Sequence, residues 1–415
     1  MILDPIAVLL VVAVLAGLYL AFNIGANDVA NAMGTSVGSG ALTIKKAIIL
    51  AAIFEFLGAL LIGDEVSRTI KQGFVGPELF AKDPEAFAYG MTAAILATSL
   101  WLQFATFRGL PVSTTHSIVG AVLGFALMHG GLFTIKFGQL SAIFVSWIIS
   151  PFFGGIISYV FLRFILRFII DSHDPIARSK KLVPIMIGLS VTVLSSAFTT
   201  KLIEKIMFEV NSWLGLLLAL ALGICVGTVF YFHIRDLKTD GLQRDVLLRK
   251  NEGIFAKMQL VTACFLAFAH GSNDVANAIG PAAAVISALT SHSVQDQAHV
   301  PTWLLMVGGL GIILGLASFG RKVIQTVGQK ITEITPSRGF AAEFGAAVTI
   351  LFGTIMGLPL STTHVLVGAV IGVGFARGIS GIDVNVIRRI ARSWIVTMPL
   401  TAAISIVFCL ILRIV

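Results

Sequence analysis

The sequence is short of charge. Only 12% of its 415 residues are Asp, Glu, Lys or Arg, about half the share that soluble globular domains carry. Hydrophobic residues make up 57%, and the mean hydropathy is +0.95. That balance excludes an ordinary soluble enzyme. Cysteine is scarce as well: Cys225, Cys264 and Cys409 stand far apart in apolar segments, a pattern of neither a disulfide framework nor a metal site. No basic stretch carries interleaved aromatic residues, which removes nucleic acid as a partner. The excess of 29 Lys and Arg over 21 acidic residues lies mostly in short loops and reads as orientation charge in a lipid bilayer. The start, Met1-Ile-Leu-Asp-Pro, lacks a positively charged n-region, and a Gly-Asn motif stands where a cleavage site is expected. The first apolar run is therefore expected to remain as a span rather than leave as a signal peptide.

What is present is a series of apolar runs, near 5–33, 47–63, 86–107, 110–128, 137–170, 183–200, 212–232, 254–285, 301–319, 340–356, 358–376 and 390–414. A chain of this length accommodates roughly a dozen spans of about 20 residues. The expected fold is an all-α polytopic membrane protein of about 12 membrane segments. Two polar connections stand out. Residues 171–182 contain Arg178, Lys180 and Lys181, and residues 233–253 contain Arg235, Lys238, Arg244, Arg249 and Lys250. Both are expected on the cytoplasmic side.

The chain also repeats itself. Gly25-Ala-Asn-Asp-Val-Ala-Asn-Ala-Met-Gly34 returns as Gly271-Ser-Asn-Asp-Val-Ala-Asn-Ala-Ile-Gly280, and Gly109-Leu-Pro-Val-Ser-Thr-Thr-His116 returns as Gly357-Leu-Pro-Leu-Ser-Thr-Thr-His364. The offsets are 246 and 248 residues, so whole halves are duplicated, 1–170 and 254–415, joined by linking spans over 171–253. Orientation charge sets the halves in opposite directions. The span 5–33 is followed by Lys45 and Lys46 and runs inward, whereas 286–300 has no Lys or Arg, so 254–285 runs outward. Both termini are then expected outside the cell membrane. Segments 86–107 and 110–128 are either two full spans or one re-entrant hairpin. The Gly-Leu-Pro break followed by helix-starting Ser-Thr-Thr favours hairpins near 86–128 and 340–376, because a mid-membrane break must face protein or a wet cavity.

The repeated motifs suggest two chemistries. On a helix Asn27, Asp28 and Asn31 share one face, and so do Asn273, Asp274 and Asn277. A membrane-depth carboxylate with no Lys or Arg in its span is costly and points to function; carboxylate, amide and backbone oxygens suit a small hard cation. The plain alternative is an interhelical hydrogen-bond cluster. Ser113, Thr114 and Thr115, with Ser361, Thr362 and Thr363, begin helices whose free N–H groups and dipoles favour an oxyanion; simple N-capping is the alternative. His116 and His364 orient the turn or shuttle protons. Glu55 and Glu343 are candidate pathway or coupling carboxylates, equally compatible with buried structural roles, and Gln103 is a candidate wall of the anion site. A Ser-His hydrolase is disfavoured, since each His lies three residues from its Ser and lacks an evident third orienting group.

These four motif copies, in this order, resemble the signature of the inorganic phosphate transporter (PiT) family along essentially the whole chain. The resemblance implies symport of phosphate with Na⁺ or H⁺, an inverted-repeat fold with two hairpins, and a homodimer. It places phosphate on the two Ser-Thr-Thr sets and the coupling ion on Asp28, Asn31, Asp274 and Asn277, with Asn27 and Asn273 supporting. The long cytoplasmic insertion of eukaryotic relatives is replaced here by the short connection 233–253. The expected activity is Na⁺-driven phosphate import without a cofactor, the alternative being a proton-coupled carrier of phosphate, metal–phosphate or sulfate.

Overall fold

The computed structural model describes residues 4–72, 80, 83–206, 213–237, 242–291, 293–294, 300–330, 333–358, 360–378 and 383–414. Its regular structure is helical. The first span is α1 (Pro5–Ile24), started by Asp4, whose carboxylate accepts the Ile6 N–H at 3.1 Å, with Pro5 in the first turn. It passes through one π-helical turn, Gly25–Val29, into α2 (Ala30–Gly38). Helices α3 (Ile44–Gln72), α4 (Pro84–Phe107), α5 (Thr114–Gly130) and α6 (Phe137–Ile165) complete the first half. The linking pair α7 (Pro175–Ile206) and α8 (Trp213–Ile234) follows. The second half is α9 (Arg244–Ser291), α10 (Thr302–Phe319), α11 (Arg321–Lys330), α12 (Pro336–Ile355), α13 (Thr362–Arg377) and α14 (Val384–Ile414). Ten helical stretches among the described residues are long and apolar enough to cross a membrane; α3 and the 16-residue α13 fall on the remaining two apolar runs.

Two polar connections are shorter than the sequence suggests. Asp174 Oδ1 accepts the Ala177 N–H at 2.9 Å and Pro175 takes the first helical position, so Arg178, Lys180 and Lys181 ride on the first turns of α7. Likewise α9 begins at Arg244 and runs unbroken through the second Asn-Asp motif. Lys238 lies outside the described residues.

Each Gly-Leu-Pro break is the tip of a helical hairpin. Gly109 and Gly357 have φ of +63° and +67°, a conformation that other residues adopt at a cost. The Leu110 N–H then closes onto Ala105 O at 3.0 Å and the Leu358 N–H onto Gly353 O at 2.9 Å, a helix C-terminal closure of the same kind in both copies. The new helices start identically: Ser113 Oγ accepts the His116 N–H and Ser361 Oγ the His364 N–H, both at 3.2 Å.

The halves interlock rather than sit side by side. Helix α5 packs on α14, and α13 packs on α6. A Cβ at Gly120 or Gly124 would collide with the α14 backbone at Met398 and Ala402; at Gly368 or Gly372 it would collide with α6 at Pro151 and Gly155. Helices α3 and α10 cross the same way, α3 against α9 and α10 against α1. Small residues at these crossings let backbones approach, which is how helices associate where lipid removes the hydrophobic drive.

Candidate functional site

The interlocked motifs converge on one buried cluster. Asp28, on the π-helical turn, accepts hydrogen bonds from the starts of two helices. Its Oδ2 takes the Thr114 N–H at 3.3 Å and the Thr114 hydroxyl, and its Oδ1 takes the Thr363 hydroxyl. Thr114 and Thr363 begin α5 and α13, so one carboxylate of the first half is held by the hairpins of both. Asp274 accepts from Thr362 Oγ1 at 2.7 Å and Asn277 Nδ2 at 2.9 Å. Thr115 Oγ1 donates across to Leu360 O at 2.8 Å and lies 3.3 Å from Asn277 Nδ2. All six hydroxyl residues are buried.

Asn27 and Asn273 hold the hairpin tips. Asn27 Nδ2 donates to Thr106 Oγ1 at 3.1 Å and Leu110 O at 3.0 Å, and its Oδ1 accepts the Val112 N–H at 3.2 Å. Asn273 Nδ2 donates to Thr354 Oγ1 at 3.1 Å and Leu358 O at 3.4 Å. Thr106 and Thr354 were not singled out from the sequence, although they share the 248-residue offset of the serines; that spacing was the available signal. The side chain of Asn31 lies outside those described.

The second half adds something the first lacks. His270 Nε2 is 2.7 Å from Asp274 Oδ2, and His270 Nδ1 is 3.0 Å from the Glu55 carboxylate. All three groups are buried. The crossing glycines reveal their counterparts. A Cβ at Gly271 would lie 2.2 Å from Glu55 O, and one at Gly25 would lie 1.9 Å from Ile312 O. Glu55 therefore corresponds to Ile312, and His270, one residue before its glycine, corresponds to Ile24. A polar Glu-His pair beside Asp274 replaces an Ile-Ile pair beside Asp28. This is why neither residue could be read from the repeat.

Ligand atoms of Asp28, Asp274 and His270 all lie within 4.8 Å of one another. Two ionised carboxylates that close repel by about 3 kcal/mol at an effective dielectric near 20, so the site is built for company of positive charge. Asn273 Oδ1 and Asn277 Oδ1 are buried without a hydrogen-bond partner among the described residues. Carboxylate and amide oxygens of this kind are a hard-cation donor set. Around them, two helix N-termini with hydroxyl side chains offer the donors an oxyanion needs.

Other residues singled out from the sequence fall outside this cluster. Gln103 is partly exposed on α4 and accepts from Tyr19 Oη at 3.3 Å. Glu343, on α12, forms a separate buried knot: it accepts from Thr35 Oγ1, Gln259 Nε2 and Thr262 Oγ1 at 2.8 Å and from Ser36 Oγ at 2.5 Å. His116 and His364 meet ring to ring, with centroids 4.4 Å apart, and each also packs on a tryptophan, Trp147 and Trp394 respectively.

A sequence model of the phosphate transporter family matches residues 24–405. The chain is 44% identical to a putative phosphate permease of Chlamydia pneumoniae and 42% identical to one of Pyrococcus abyssi, each over 98% of both chains. It is 43% identical to inorganic phosphate transporter 2-1, chloroplastic, of Arabidopsis thaliana, over 95% of this chain and 70% of that relative. A solved structure described as the sodium-dependent phosphate transporter superposes with a TM-score of 0.90 at 39% identity, over 98% of this chain and 100% of the other.

Proposed function

This chain belongs to the phosphate transporter family, and on that premise we propose that it imports inorganic phosphate by symport with Na⁺ through alternating access. The family is one of transporters rather than enzymes, and the chain is a multi-pass membrane protein. One observation carries the proposal: threonine hydroxyls from both hairpins donate to Asp28, and another donates to Asp274. A hydroxyl committed to a carboxylate is withheld from an anion. A cation that takes over the carboxylate frees that hydroxyl, and the helix N-terminus behind it, for phosphate. Cation and anion are thereby coupled through the same side chains.

In this reading Ser113, Thr114, Thr115, Ser361, Thr362 and Thr363 bind phosphate, with Gln103 further out along the path. Asp28, Asn31, Asp274 and Asn277 take two Na⁺ ions, one nearer each aspartate, and Asn27 and Asn273 support them by fixing the hairpin tips. Residues 1–170 and 254–415 act as inverted repeats around that site, linked by 171–253, in a homodimer with both termini outside the cell membrane. The oxygen-rich, arginine-free donor set supports Na⁺, because a multivalent anion beside two carboxylates needs cations. The buried Glu55–His270–Asp274 chain favours a second reading, proton-coupled transport, since an imidazole between two carboxylates is a proton carrier by chemistry.

Uptake into proteoliposomes separates the two. Phosphate should accumulate with an inward Na⁺ gradient and stay near background with K⁺ and an imposed proton gradient; uptake driven by protons alone overturns Na⁺ coupling. Competition by arsenate but not sulfate is expected for a phosphate site, and equal inhibition by sulfate would point to a broader oxyanion or metal–oxyanion carrier.

A further inference from the structure

A second anion-suited site lies far along the chain from the transport motifs. After α6 the chain makes a π-helical turn, Leu166–Ile170, and reaches the α7 cap within four residues. Arg244 of α9 fixes this turn, donating from Nη1 to Ser172 O and from Nη2 to Ile170 O, both at 3.3 Å. The turn walls a cavity of about 550 Å³ whose charged lining is Arg167, Arg178, Lys181 and Asp174. The single carboxylate is already engaged as the α7 cap. Among the described residues no carboxylate pairs with Arg167, Arg178 or Lys181, and Arg167 rests over the Phe168 ring at 5.6 Å. Three exposed cations thus face one cavity against a single carboxylate, Asp174.

Lys181 also lines a neighbouring groove of about 550 Å³ between α7 and α8. Its floor is Gly188, Gly223 and Gly227, where the two backbones touch: a Cβ at Gly223 would lie 2.4 Å from Gly188 O. Its walls are mainly apolar, with Thr192, Thr228 and Tyr231 among them and Lys180 beside Lys181, and Ile185, Leu189 and Ile224 are 59%, 61% and 62% exposed. From Lys181 to Thr192 the groove follows α7 for three turns, about 16 Å at 1.5 Å per residue. A water-soluble anion satisfies the cavity and leaves the groove bare. A molecule with a phosphate at one end and a hydrocarbon chain at the other satisfies both.

We propose that the cavity and the groove form one binding site for an anionic phospholipid, with its phosphate among Arg167, Arg178 and Lys181 and an acyl chain laid between α7 and α8. Arg178 and Lys181 belong to the basic connection 171–182 expected on the cytoplasmic face, and Arg167 lies just before it; basic pockets between membrane helices on that face bind acidic headgroups. The lipid fastens the linking pair α7–α8 to the end of α6, and none of its ligands belongs to the transport cluster.

The test is native mass spectrometry of the full chain in detergent, titrated with phosphatidylglycerol, with phosphatidylcholine of the same chains, and with glycerol phosphate. The wild type should retain phosphatidylglycerol in preference to phosphatidylcholine and should not retain glycerol phosphate. Near an anionic headgroup each basic side chain is worth about a fivefold change in affinity, so R167Q/R178Q/K181Q should lose the preference by well over tenfold. Leu189→Trp, which fills the groove and leaves the charges in place, should weaken retention of the lipid without restoring phosphatidylcholine. An unchanged melting temperature in lipid-free detergent shows that each variant folds; R167K/R178K covers the case in which the triple variant does not, and should keep the preference. Equal retention of both lipids, retention of glycerol phosphate as strong as that of the lipid, or a preference untouched by the triple variant overturns the proposal. So does a triple variant that changes only oligomeric state, which would make this face a contact between two copies of the chain.

Discussion

At Asp28 the hydrogen-bond pattern separates two roles that are easily merged. Asp28→Asn keeps the shape of the side chain and removes its charge, and a hydrogen bond to a charged group is worth about 1.5–3 kcal/mol. The apparent affinity for Na⁺ should therefore fall by roughly ten- to a hundredfold, with a smaller change in phosphate affinity. Thr362→Val removes one donor to a charged acceptor, worth about 1.5–3 kcal/mol, and should weaken phosphate by roughly ten- to a hundredfold with less effect on Na⁺. Uptake measured against each ion in turn checks both; unchanged affinities in the two variants would falsify the site assignment. Glu343 calls for a different experiment, because four neutral donors from α2 and α9 end on it. Removing the acceptor strands them in a buried place, and a buried donor left unsatisfied costs about 1–3 kcal/mol. Glu343→Ala should accordingly lower the melting temperature in detergent strongly, while Glu343→Gln, which still accepts, should lower it less. The repeat made Asp28, Asp274 and the Ser-Thr-Thr residues legible in the sequence. It could not expose His270 or Glu343: the positions that match them by offset are Ile24 and Ile95, and their partners arrive from distant helices.

Among the elements, the hairpin tips and helix crossings carry the geometry. The Gly-Leu-Pro break was readable as a stop followed by a start, and Gly109 and Gly357 with positive φ supply it. What pins each tip was not readable, because Asn27 and Asn273 reach it from α1–α2 and α9 across 83 and 85 residues of sequence. The π-helical turn at Gly25–Val29 was not readable either: its copy in α9 has nearly the same residues and stays α-helical, so the surroundings and not the motif decide it. The crossings make a sharper demand. A methyl group at Gly25 would sit 1.9 Å from Ile312 O, whereas Gly109 holds a φ of +63°. Gly25→Ala must push α1 from α10, an overpacking cost of about 1–3 kcal/mol or more, and it displaces Asp28 as well. Gly109→Ala places a non-glycine residue at a left-handed φ, at a conformational cost of about 1–2 kcal/mol. Thermal melts should rank Gly25→Ala below Gly109→Ala, and transport should fail completely only in the former. Equal melts with equal transport would show that the α1–α10 crossing does not position the site.

For the whole molecule, the interlock of the halves turns orientation into a test of mechanism. Positive-inside bias sends the first span inward and its repeat outward, and the packing of α5 on α14 and α13 on α6 fits two such halves clasped about one centre. If the halves are inverted, the chain leaves its first hairpin on the outside and its second on the inside. Phe133, just after α5, is 96% exposed, and Asn385, at the start of α14, is exposed. The two positions correspond by repeat order, but on inverted halves they open to opposite sides. In a background with Cys225, Cys264 and Cys409 replaced by Ala, Phe133→Cys should react with a membrane-impermeant maleimide added outside intact cells. Asn385→Cys should react only after the membrane is opened, and Asp236→Cys, beyond α8, should behave like Asn385→Cys. Labelling of Phe133→Cys and Asn385→Cys from the same side would mean parallel halves, and parallel halves cannot bring the start of α13 to Asp28 from the face opposite the start of α5. Since the Thr114 and Thr363 hydroxyls both reach that carboxylate, the labelling result bears directly on how a cation at Asp28 is felt by both hairpins at once.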